Sequence, residues 1–448
     1  MPKPRARSVV VGAGLPGIVA SFILARTGRE VLLLDSAPSI GGLLRSYDVA
    51  GFSFDYGTHF ANKTGIEDLD DFLFGGFESE WREFPFLKAG NFWNGKLNEV
   101  SENPDLNALG REKHNRCLLE VLVAQGWRGG SVADNAREFL VSEYGPYLVE
   151  VFFDPVLRKF TGLSSESLHH QVNLLFNLRR FAVLDCHATS ELKRSSCYDR
   201  KISFHHRDNF KGHRPSLYPR VGGIGNWIEQ LETKMHQYGI KVVLDAKIER
   251  ISISMDKVDK LVFNSKEIPL DELVWGVAPA AFLNLARIKA DCRKPSARAT
   301  VLVGLEMNRP LETTCYFFTV FDDTFKSFRT TVYDNFRCAP TRRHAVTVEF
   351  MVDPCEVGSF DWSRLAESEL RGMGVLSSST KIVGSHKKVV ANGFPVQTNT
   401  SVDALANQSS VIKEFKNVGL VGRGNGKGWS LDGLLRDAYE TAVKLVNQ

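Results

Sequence analysis

The first sixty residues carry glycines and an acidic residue at a spacing suited to binding a phosphate-containing ligand. A valine-rich run from Ser8 to Val11 leads directly into Gly-Ala-Gly-Leu-Pro-Gly at 12–17. Helical spacing follows over 15–27, and a second apolar run over 30–34 ends at Asp35. This order predicts a strand, a glycine turn, a helix and a second strand with a carboxylate at its tip.

Each part of this turn has a physical role in binding a dinucleotide. Gly12 permits the tight turn, Gly14 lets the backbone approach a pyrophosphate, and Gly17 lets the helix pack close to the strand. The helix N-terminus presents N–H groups and the positive end of its dipole to the phosphates. Asp35 is placed to accept hydrogen bonds from the ribose hydroxyls. The other positions expected to contact the dinucleotide here are Leu15, Pro16 and Ser36.

A second glycine-rich element follows the second strand. Gly41 and Gly42 allow another close backbone approach, and Arg45 is placed to neutralise phosphate. The segment 51–59 then ends in Gly-Thr-His. A domain that binds NAD alone does not need this second clamp.

The whole N-terminal pattern resembles the flavoprotein superfamily of amine oxidases, protoporphyrinogen oxidase, phytoene desaturase and UDP-galactopyranose mutase. The resemblance implies that the cofactor is FAD and that Gly42, Leu43 and Arg45 help to hold it. It also implies that a second segment runs beside the isoalloxazine ring, consisting of Gly57, Thr58 and His59.

Two later blocks resemble the same superfamily in the same order. The glycine-rich turn 218–225 leads into a helix over 226–238 and two strands, and the resemblance implies that the backbone at Ile248 flanks the adenine. A strand over 417–423 is followed by a glycine-rich turn and an amphipathic helix over 431–446. The resemblance implies that this last block passes under the flavin, with contacts from Gly422, Arg423, Ser430 and Leu431.

These blocks predict an α/β protein in which a Rossmann-like FAD-binding domain is interleaved with a substrate domain of mixed sheet plus helices. A chain of 448 residues is too long for one core, so two domains are expected. We assign the FAD-binding domain to 1–65, 216–290 and 401–448, the helical cap of the substrate domain to 66–215, and its sheet to 291–400. The aromatic-rich stretch within 66–110 is interpreted as core and lid rather than as a membrane-binding face.

Composition narrows the function classes. A hydrophobic content of 43% and a charged content of 24% describe a soluble globular protein, and no apolar run is long enough to span a membrane. The net charge of +4 is too small to indicate a nucleic-acid polymer as partner. Seven cysteines without a CxxC pair indicate free thiols in a reducing compartment, so a cytoplasmic location is expected. The pair His205–His206 lacks companion ligands at metal spacing, and no metal site is predicted.

The expected partner is a small-molecule substrate, and several cations could hold an anionic one. Lysines, arginines and histidines are dense over 179–220, as expected either of a solvated loop or of a cleft wall that attracts a sugar nucleotide or a carboxylate. Arg423 lies in the Gly-Arg step that resembles the mutase, and Arg329 is a candidate second clamp. His59, Arg423 and Arg329 are therefore the candidate catalytic residues.

Three functions remain open from the sequence. The first is an FAD-dependent oxidoreductase that transfers hydride from a polar, anionic metabolite to flavin N5. The second is a flavin-dependent isomerase of mutase type, which two departures weaken: Asn62 stands where the mutase pattern has a second histidine, and Phe394 stands where it has a tyrosine hydroxyl. The third is a flavin-bound scaffold without turnover. Paired aromatics typical of amine-oxidase cages are missing from the C-terminal turn, where only Trp429 occurs.

Overall fold

The computed structural model describes residues 6–124, 126, 133–291, 295–337, 343–425 and 430–447. The chain divides into two units, each assembled from separated segments. Unit 1 comprises Met1–Phe84, Pro215–Lys294 and Thr400–Gln448. Unit 2 comprises Pro85–Arg214 and Pro295–Asn399. The assignment of a cofactor role to one unit and a substrate role to the other stays a prediction.

The longest strands in the described residues, β16, β19 and β20, belong to unit 2. In chain order they are β1 (Arg7–Val11), β2 (Glu30–Leu34), β3 (Ser46–Val49), β4 (Phe52–Asp55), β5 (Trp81–Phe84), β6 (Ala89–Trp93), β7 (Lys96–Asn98), β8 (Phe181–Ala182), β9 (Ile202–Ser203), β10 (Ser216–Pro219), β11 (Lys241–Val243), β12 (Ile248–Ser254), β13 (Lys257–Phe263), β14 (Lys266–Pro269), β15 (Glu272–Trp275), β16 (Ala297–Met307), β17 (Phe317–Val320), β18 (Ser327–Val332), β19 (His344–Val352), β20 (Ile382–Pro395) and β21 (Val418–Leu420).

The helices flank these strands. In chain order they are α1 (Leu15–Arg26), α2 (Glu67–Phe74), α3 (Arg111–Val123), α4 (Ala136–Tyr144), α5 (Pro146–Leu148), α6 (Asp154–Thr161), α7 (Val172–Leu175), α8 (Cys186–Leu192), α9 (Ser196–Asp199), α10 (Gly225–Gln237), α11 (Pro279–Leu285), α12 (Trp362–Gly372), α13 (Asn399–Lys413) and α14 (Leu431–Val446). A π-helical turn, Val149–Phe153, joins α5 to α6.

Unit 1 is organised by a five-stranded parallel sheet in the order β11-β2-β1-β15-β21. β1 pairs in parallel with β2 on one side and with β15 on the other, so the N-terminal strand is central. α1 packs against α14, and its residues from Ile18 to Leu24 are all buried. This helix is apolar all round because other elements cover every face of it. The Rossmann-like α/β fold expected from the sequence is therefore present.

Residues 66–84 belong to unit 1, which corrects the boundary that placed them in the substrate domain. The ring of Phe72 on α2 stacks on Phe22 of α1, with the ring centroids 3.8 Å apart. The indole N–H of Trp227 on α10 donates to the carbonyl of Leu73 at 2.8 Å, and the Trp227 ring stacks on Phe74. These contacts bury the first half of the aromatic-rich stretch in the core of unit 1. Its buried members across both units are Phe72, Phe74, Trp81, Phe84, Phe92 and Trp93.

Unit 2 contains a seven-stranded sheet in the order β20-β16-β19-β18-β17-β6-β7. The sheet is mixed because β6 joins β17 in parallel while the other neighbours are antiparallel. α12 packs against the sheet in one apolar core, and the helices α3 to α6 gather around a second core with Phe328 and Met351 of the sheet. Among the described residues, none of the helices is both long enough and apolar enough to cross a bilayer.

The cysteines in the described part of the chain are free thiols, namely Cys117, Cys186, Cys197, Cys315 and Cys355. Cys292 and Cys338 lie outside the described residues.

Candidate functional site

The first glycine turn has the geometry that a pyrophosphate site requires. Gly12 has a φ of +103°, a conformation that favours glycine, and its N–H donates to the Leu34 carbonyl at 2.7 Å. A Cβ built on Gly17 would lie 1.9 Å from the Gly12 carbonyl oxygen, so helix and turn touch there. Among the described residues, a Cβ built on Gly14 would meet only the Pro16 Cδ, at 3.9 Å. Gly17 therefore lies at a close packing contact, while the role of Gly14 at a pyrophosphate stays a prediction.

Gly14 is also the N-cap of α1, and because glycine has no side chain, no side-chain hydrogen bond caps this end of the helix. The first turn of α1 contains no acidic residue. The N-terminus of α1 therefore retains backbone donors and a positive dipole end that an anion can neutralise.

The carboxylate of Asp35 is tied to the same turn. One oxygen accepts from the Ala13 N–H at 2.6 Å, and the other accepts from the Ala37 N–H at 2.8 Å. Each carboxylate oxygen has two lone pairs, so these bonds still leave acceptor capacity for a ribose hydroxyl. Asp35 therefore stabilises the turn, a role in addition to the one predicted from the sequence. The neighbouring Ser36 is exposed.

The second glycine pair lies against the first turn. The N–H of Gly41 donates to the Ala13 carbonyl at 2.7 Å, and a Cβ built on Gly42 would lie 3.5 Å from the Gly14 Cα. The Arg45 guanidinium donates from Nε to the Gly42 carbonyl at 2.7 Å and from Nη1 to Ser39 Oγ at 2.9 Å. Arg45 is thus held beside the two glycine turns with further donors to offer a phosphate.

The second sequence block is attached to this region by a buried carboxylate, Asp55, which the sequence analysis did not single out. Asp55 is 1% exposed and accepts hydrogen bonds from the Tyr218 hydroxyl at 2.6 Å and the Ile224 N–H at 3.0 Å. Ser46 links the same parts, since its Oγ donates to Asp55 and accepts from the Gly225 N–H at 2.8 Å. The sequence did carry a signal for Asp55, which is an acidic residue at the end of the strand Phe52–Asp55, because a buried carboxylate needs hydrogen-bond donors around it.

The third block also reaches the first turn. A Cβ built on Gly422 would lie 3.6 Å from the Gly276 carbonyl and 3.8 Å from Pro16 Cγ. The Val421 N–H donates to the Trp275 carbonyl, which continues the sheet to the end of β21. The glycine-rich segments that are distant in sequence therefore converge around Gly14 and Pro16.

Arg423 follows directly and is exposed. Within the described residues no carboxylate lies at salt-bridge distance from it, so the alternative of a structural ion pair finds no support there. Although the Arg423 side chain reaches solvent, the protein around its guanidinium partly desolvates this group and lowers its pKa. The guanidinium stays charged at neutral pH because it is a very weak acid.

The remaining predicted cofactor contacts lie in unit 1. Thr58 and His59 are half-buried and follow Gly57, whose φ is +113°. Ile248 is the first residue of β12, and it packs on the same apolar core as Val9 and Leu34. Leu15 and Pro16 are the first residues of α1, and Leu43 lies between Gly42 and Arg45. Leu431 is the first residue of α14, and the side chain of the preceding Ser430 makes no capping hydrogen bond. Lys427 and Trp429 of the C-terminal turn lie outside the described residues.

Arg329 lies in unit 2 and is engaged by a carboxylate. Its Nε and Nη2 donate to the two oxygens of Glu349 at 2.7 and 2.9 Å, and the Glu349 side chain is 2% exposed. A bidentate pair with a buried acid gives Arg329 a structural role in joining β18 to β19. The predicted role as a second anion clamp gains no support from this geometry.

The basic segment over 179–214 is largely neutralised within unit 2. Arg200 pairs with Glu143, and Lys193 and Arg180 pair with Asp199. The ammonium of the fully buried Lys201 donates to two backbone carbonyls. Arg207 likewise donates to the carbonyls of Leu87, Ala89, Glu99 and Val100. These pairings favour the solvated-loop alternative over a cleft wall.

Histidines of this segment make local contacts rather than a metal site. His205 donates from Nδ1 to the carboxylate of Asp105 at 2.9 Å, and this hydrogen bond raises the pKa of His205. In the part of the chain that the structure describes, histidine, cysteine and acidic side chains form no cluster able to hold a metal ion.

Comparison with known proteins agrees with this geometry. Residues 10–73 match the model of the family described as an NAD(P)-binding Rossmann-like domain. The mitochondrial protoporphyrinogen oxidase of Nicotiana tabacum is 27% identical over 186 residues, which are 39% of this chain and 36% of that protein. Matches to all-trans-retinol 13,14-reductases of Danio rerio and an L-amino acid oxidase of Cerastes cerastes span only 8–9% of those proteins.

Solved structures resemble the whole chain. A reduced UDP-galactopyranose mutase has a TM-score of 0.75 at 17% identity, covering 99% of this chain and 95% of that one. A putrescine oxidase bound to putrescine has a TM-score of 0.62 at 10% identity, covering 99% of both chains. The chain thus has the same α/β fold as this mutase and this oxidase. The fold implied by the resemblance stated from the sequence is confirmed.

Proposed function

We propose that this chain is an FAD-dependent enzyme and, within that class, an oxidoreductase. The observation that carries the proposal is the convergence of glycine segments around Gly14, where the described residues leave open space beside a helix end without a side-chain cap. A pyrophosphate fits such a place, because it needs both backbone donors and room for close approach. A second clamp at Gly42 and Arg45 favours FAD over a nicotinamide cofactor.

The residues present fit the cofactor part by part. Gly12, Gly14 and Gly42 would admit the pyrophosphate, Arg45 would neutralise it, and Asp35 would accept from the ribose. When bound, FAD supplies an acceptor for hydride at its N5 atom. The flavin-side positions are proposed from family resemblance and are Gly57, Thr58, His59, Gly422, Ser430 and Leu431.

Arg423 is proposed to hold an anionic group of the substrate. Its guanidinium is accessible, charged and without a carboxylate partner among the described residues. A planar fork of N–H donors binds a carboxylate or a phosphate with two parallel hydrogen bonds, which fixes orientation as well as position. Since Arg329 and most of the 179–214 segment are engaged internally, the case for an anionic substrate depends on Arg423.

A mutase-type isomerase is the second candidate, favoured by the likeness of the whole fold to the UDP-galactopyranose mutase structure. Two residues oppose it. Asn62 donates its amide to the Pro215 carbonyl at 2.9 Å, so it serves to hold β10. Phe394 packs on Phe176 and Phe328 in the apolar core of unit 2 and offers no hydroxyl to a diphosphate.

The deciding experiment mixes the purified protein anaerobically with a panel of metabolites while the flavin spectrum is recorded. Bleaching of the flavin absorbance by a metabolite supports the oxidoreductase. Turnover of a nucleotide sugar only after reduction by dithionite supports the mutase, and silence in both assays favours a scaffold without turnover. A colourless protein that cannot be reconstituted with FAD would overturn the entire proposal. The cytoplasmic location inferred from the cysteines is part of the proposal and is testable by fractionation.

A further inference from the structure

A pocket of about 680 Å³ opens within unit 2, and the described residues that line it all belong to that unit. One wall comes from α6 and the π-helical turn before it, and another comes from the start of β16 at Arg298. The loop 323–326 closes a third side. π-Helical turns are uncommon and are often found at functional sites, so the turn beside this pocket suits a binding site.

Arg298 is the most unusual residue of the pocket. Its side chain is only 14% exposed, yet its sole hydrogen bond among the described residues is from Nη2 to the Met351 carbonyl at 3.3 Å. The nearest carboxylates, those of Asp353 and Glu356, are 3.9 and 4.0 Å away. Its Nε is buried and has no partner within the described part of the chain. A guanidinium has five N–H donors, so most of this buried cation's capacity is unused.

Lys159 on α6 is a second cation of the same pocket. Its ammonium donates to the carbonyls of Val320 and Asp322 at 2.7 and 2.8 Å, which leaves one of its three donors without a partner among the described residues. Burial lowers the pKa of Lys159 to about 7. An anion placed beside it would stabilise the charged form.

The charges at the rim restrict the kind of anion. Arg158 is exposed and makes no ion pair with any described residue, so it adds an accessible cation. The exposed acids Glu150 and Asp323 also line the pocket and would repel a ligand of high negative charge. Asp154 is engaged by Arg137 and Ser165, and Lys326 is engaged by Glu356.

We propose that this pocket binds a small organic monocarboxylate. The planar carboxylate would accept from the unused donors of Arg298 and from Lys159, and Arg158 would contact it from the rim. The two oxygens of a carboxylate match the fork of a guanidinium, and a single negative charge suits a pocket that also carries two exposed acids. The proposal does not rest on the proposed cofactor site or on the reaction performed there.

The test is calorimetric titration of the full-length protein, as purified, at pH 6.0 with acetate, lactate and benzoate, and separately with inorganic phosphate. We expect at least one monocarboxylate to bind saturably with a Kd of about 10 mM or tighter. Arg298→Ala and Lys159→Met should each weaken that binding by about tenfold or more. Arg158→Ala should weaken it by about threefold, and since Arg158 is exposed this variant stays informative if Arg298→Ala does not fold. Arg364→Ala, an exposed arginine on α12, is the matched control and should bind as the parent does.

Two further variants separate this site from the proposed active site. Arg423→Ala and Gly14→Val should retain the carboxylate binding even if they lose substrate turnover or flavin. Tighter binding of phosphate than of every monocarboxylate would overturn the proposed ligand class. Binding that is unchanged in both Arg298→Ala and Arg158→Ala, or no saturable binding of any monocarboxylate up to about 50 mM, would overturn the site itself.

Discussion

Substituting valine at Gly14 and, separately, at Gly17 should produce opposite defects, although the two glycines are three positions apart. Gly14 has φ −69° and ψ 168°, an extended conformation that valine adopts readily, and the nearest atom of the described residues would lie 3.9 Å from an added Cβ. The unliganded Gly14→Val protein should therefore fold, with its free energy of unfolding changed by no more than about 0.5 kcal/mol.

The same variant should lose its flavin. A backbone N–H reaches a phosphate oxygen at about 2.9 Å, which leaves no room for a branched side chain on the residue that lines the approach. We expect flavin affinity to fall by at least about 100-fold, which corresponds to about 2.7 kcal/mol. Gly17→Val should instead destabilise the domain, because its Cβ would lie 1.9 Å from the Gly12 carbonyl oxygen and a backbone shift costing about 3 kcal/mol or more would be needed.

The assay combines flavin absorbance per protein, circular dichroism and thermal melting for the parent and both variants. The expected pattern is a folded, colourless Gly14→Val protein and a destabilised Gly17→Val protein. If Gly14→Val keeps full flavin occupancy, the pyrophosphate does not bind at this turn. If Gly17→Val has the same melting temperature as the parent, helix and turn do not make this close contact at Gly17.

Three further outcomes are expected. Arg423→Lys keeps the positive charge but loses the forked pair of N–H donors, so it should retain fold and flavin while kcat/KM falls by about ten- to a hundredfold, or about 1.5–3 kcal/mol. If steady-state kinetics show turnover at the parent level, Arg423 does not belong to the site. Asp35→Ala should weaken flavin binding by about 1–3 kcal/mol, less than Gly14→Val does, as measured by flavin titration, because it removes acceptors for ribose and for the turn. The pair of His205 and Asp105 should stabilise the fold between about pH 4 and 6.5. Because the pKa of His205 is raised, the stabilisation is lost as pH rises through the pKa of His205 in the folded protein; because the pKa of Asp105 is lowered, it is lost as pH falls through the pKa of folded Asp105. The free energy of unfolding of His205→Gln, measured by denaturant melts, should lack this pH-dependent stabilisation, and an unchanged pH dependence would refute the coupling.

Local chain signals were sufficient to predict the Rossmann-like part of unit 1. The glycine turn, α1 and α14 are found where spacing placed them, with α14 spanning Leu431–Val446. This succeeded because helical periodicity, glycine conformations and strand length are encoded within a few residues of each other. The likeness of three blocks to one superfamily then predicted that they belong to one domain.

Contacts between distant residues were decided only by the tertiary structure. The sequence showed Phe72 and Phe74 as an aromatic run, but only the packing on Phe22 and Trp227 assigned residues 66–84 to unit 1. Arg329 and Arg423 are both single arginines at strand ends in the sequence. The structure separates them, because Glu349 on a neighbouring strand engages Arg329 while no described carboxylate reaches Arg423. Whether a charged group is free to bind a ligand depends on partners that lie far away along the chain, and spacing carries no information about them.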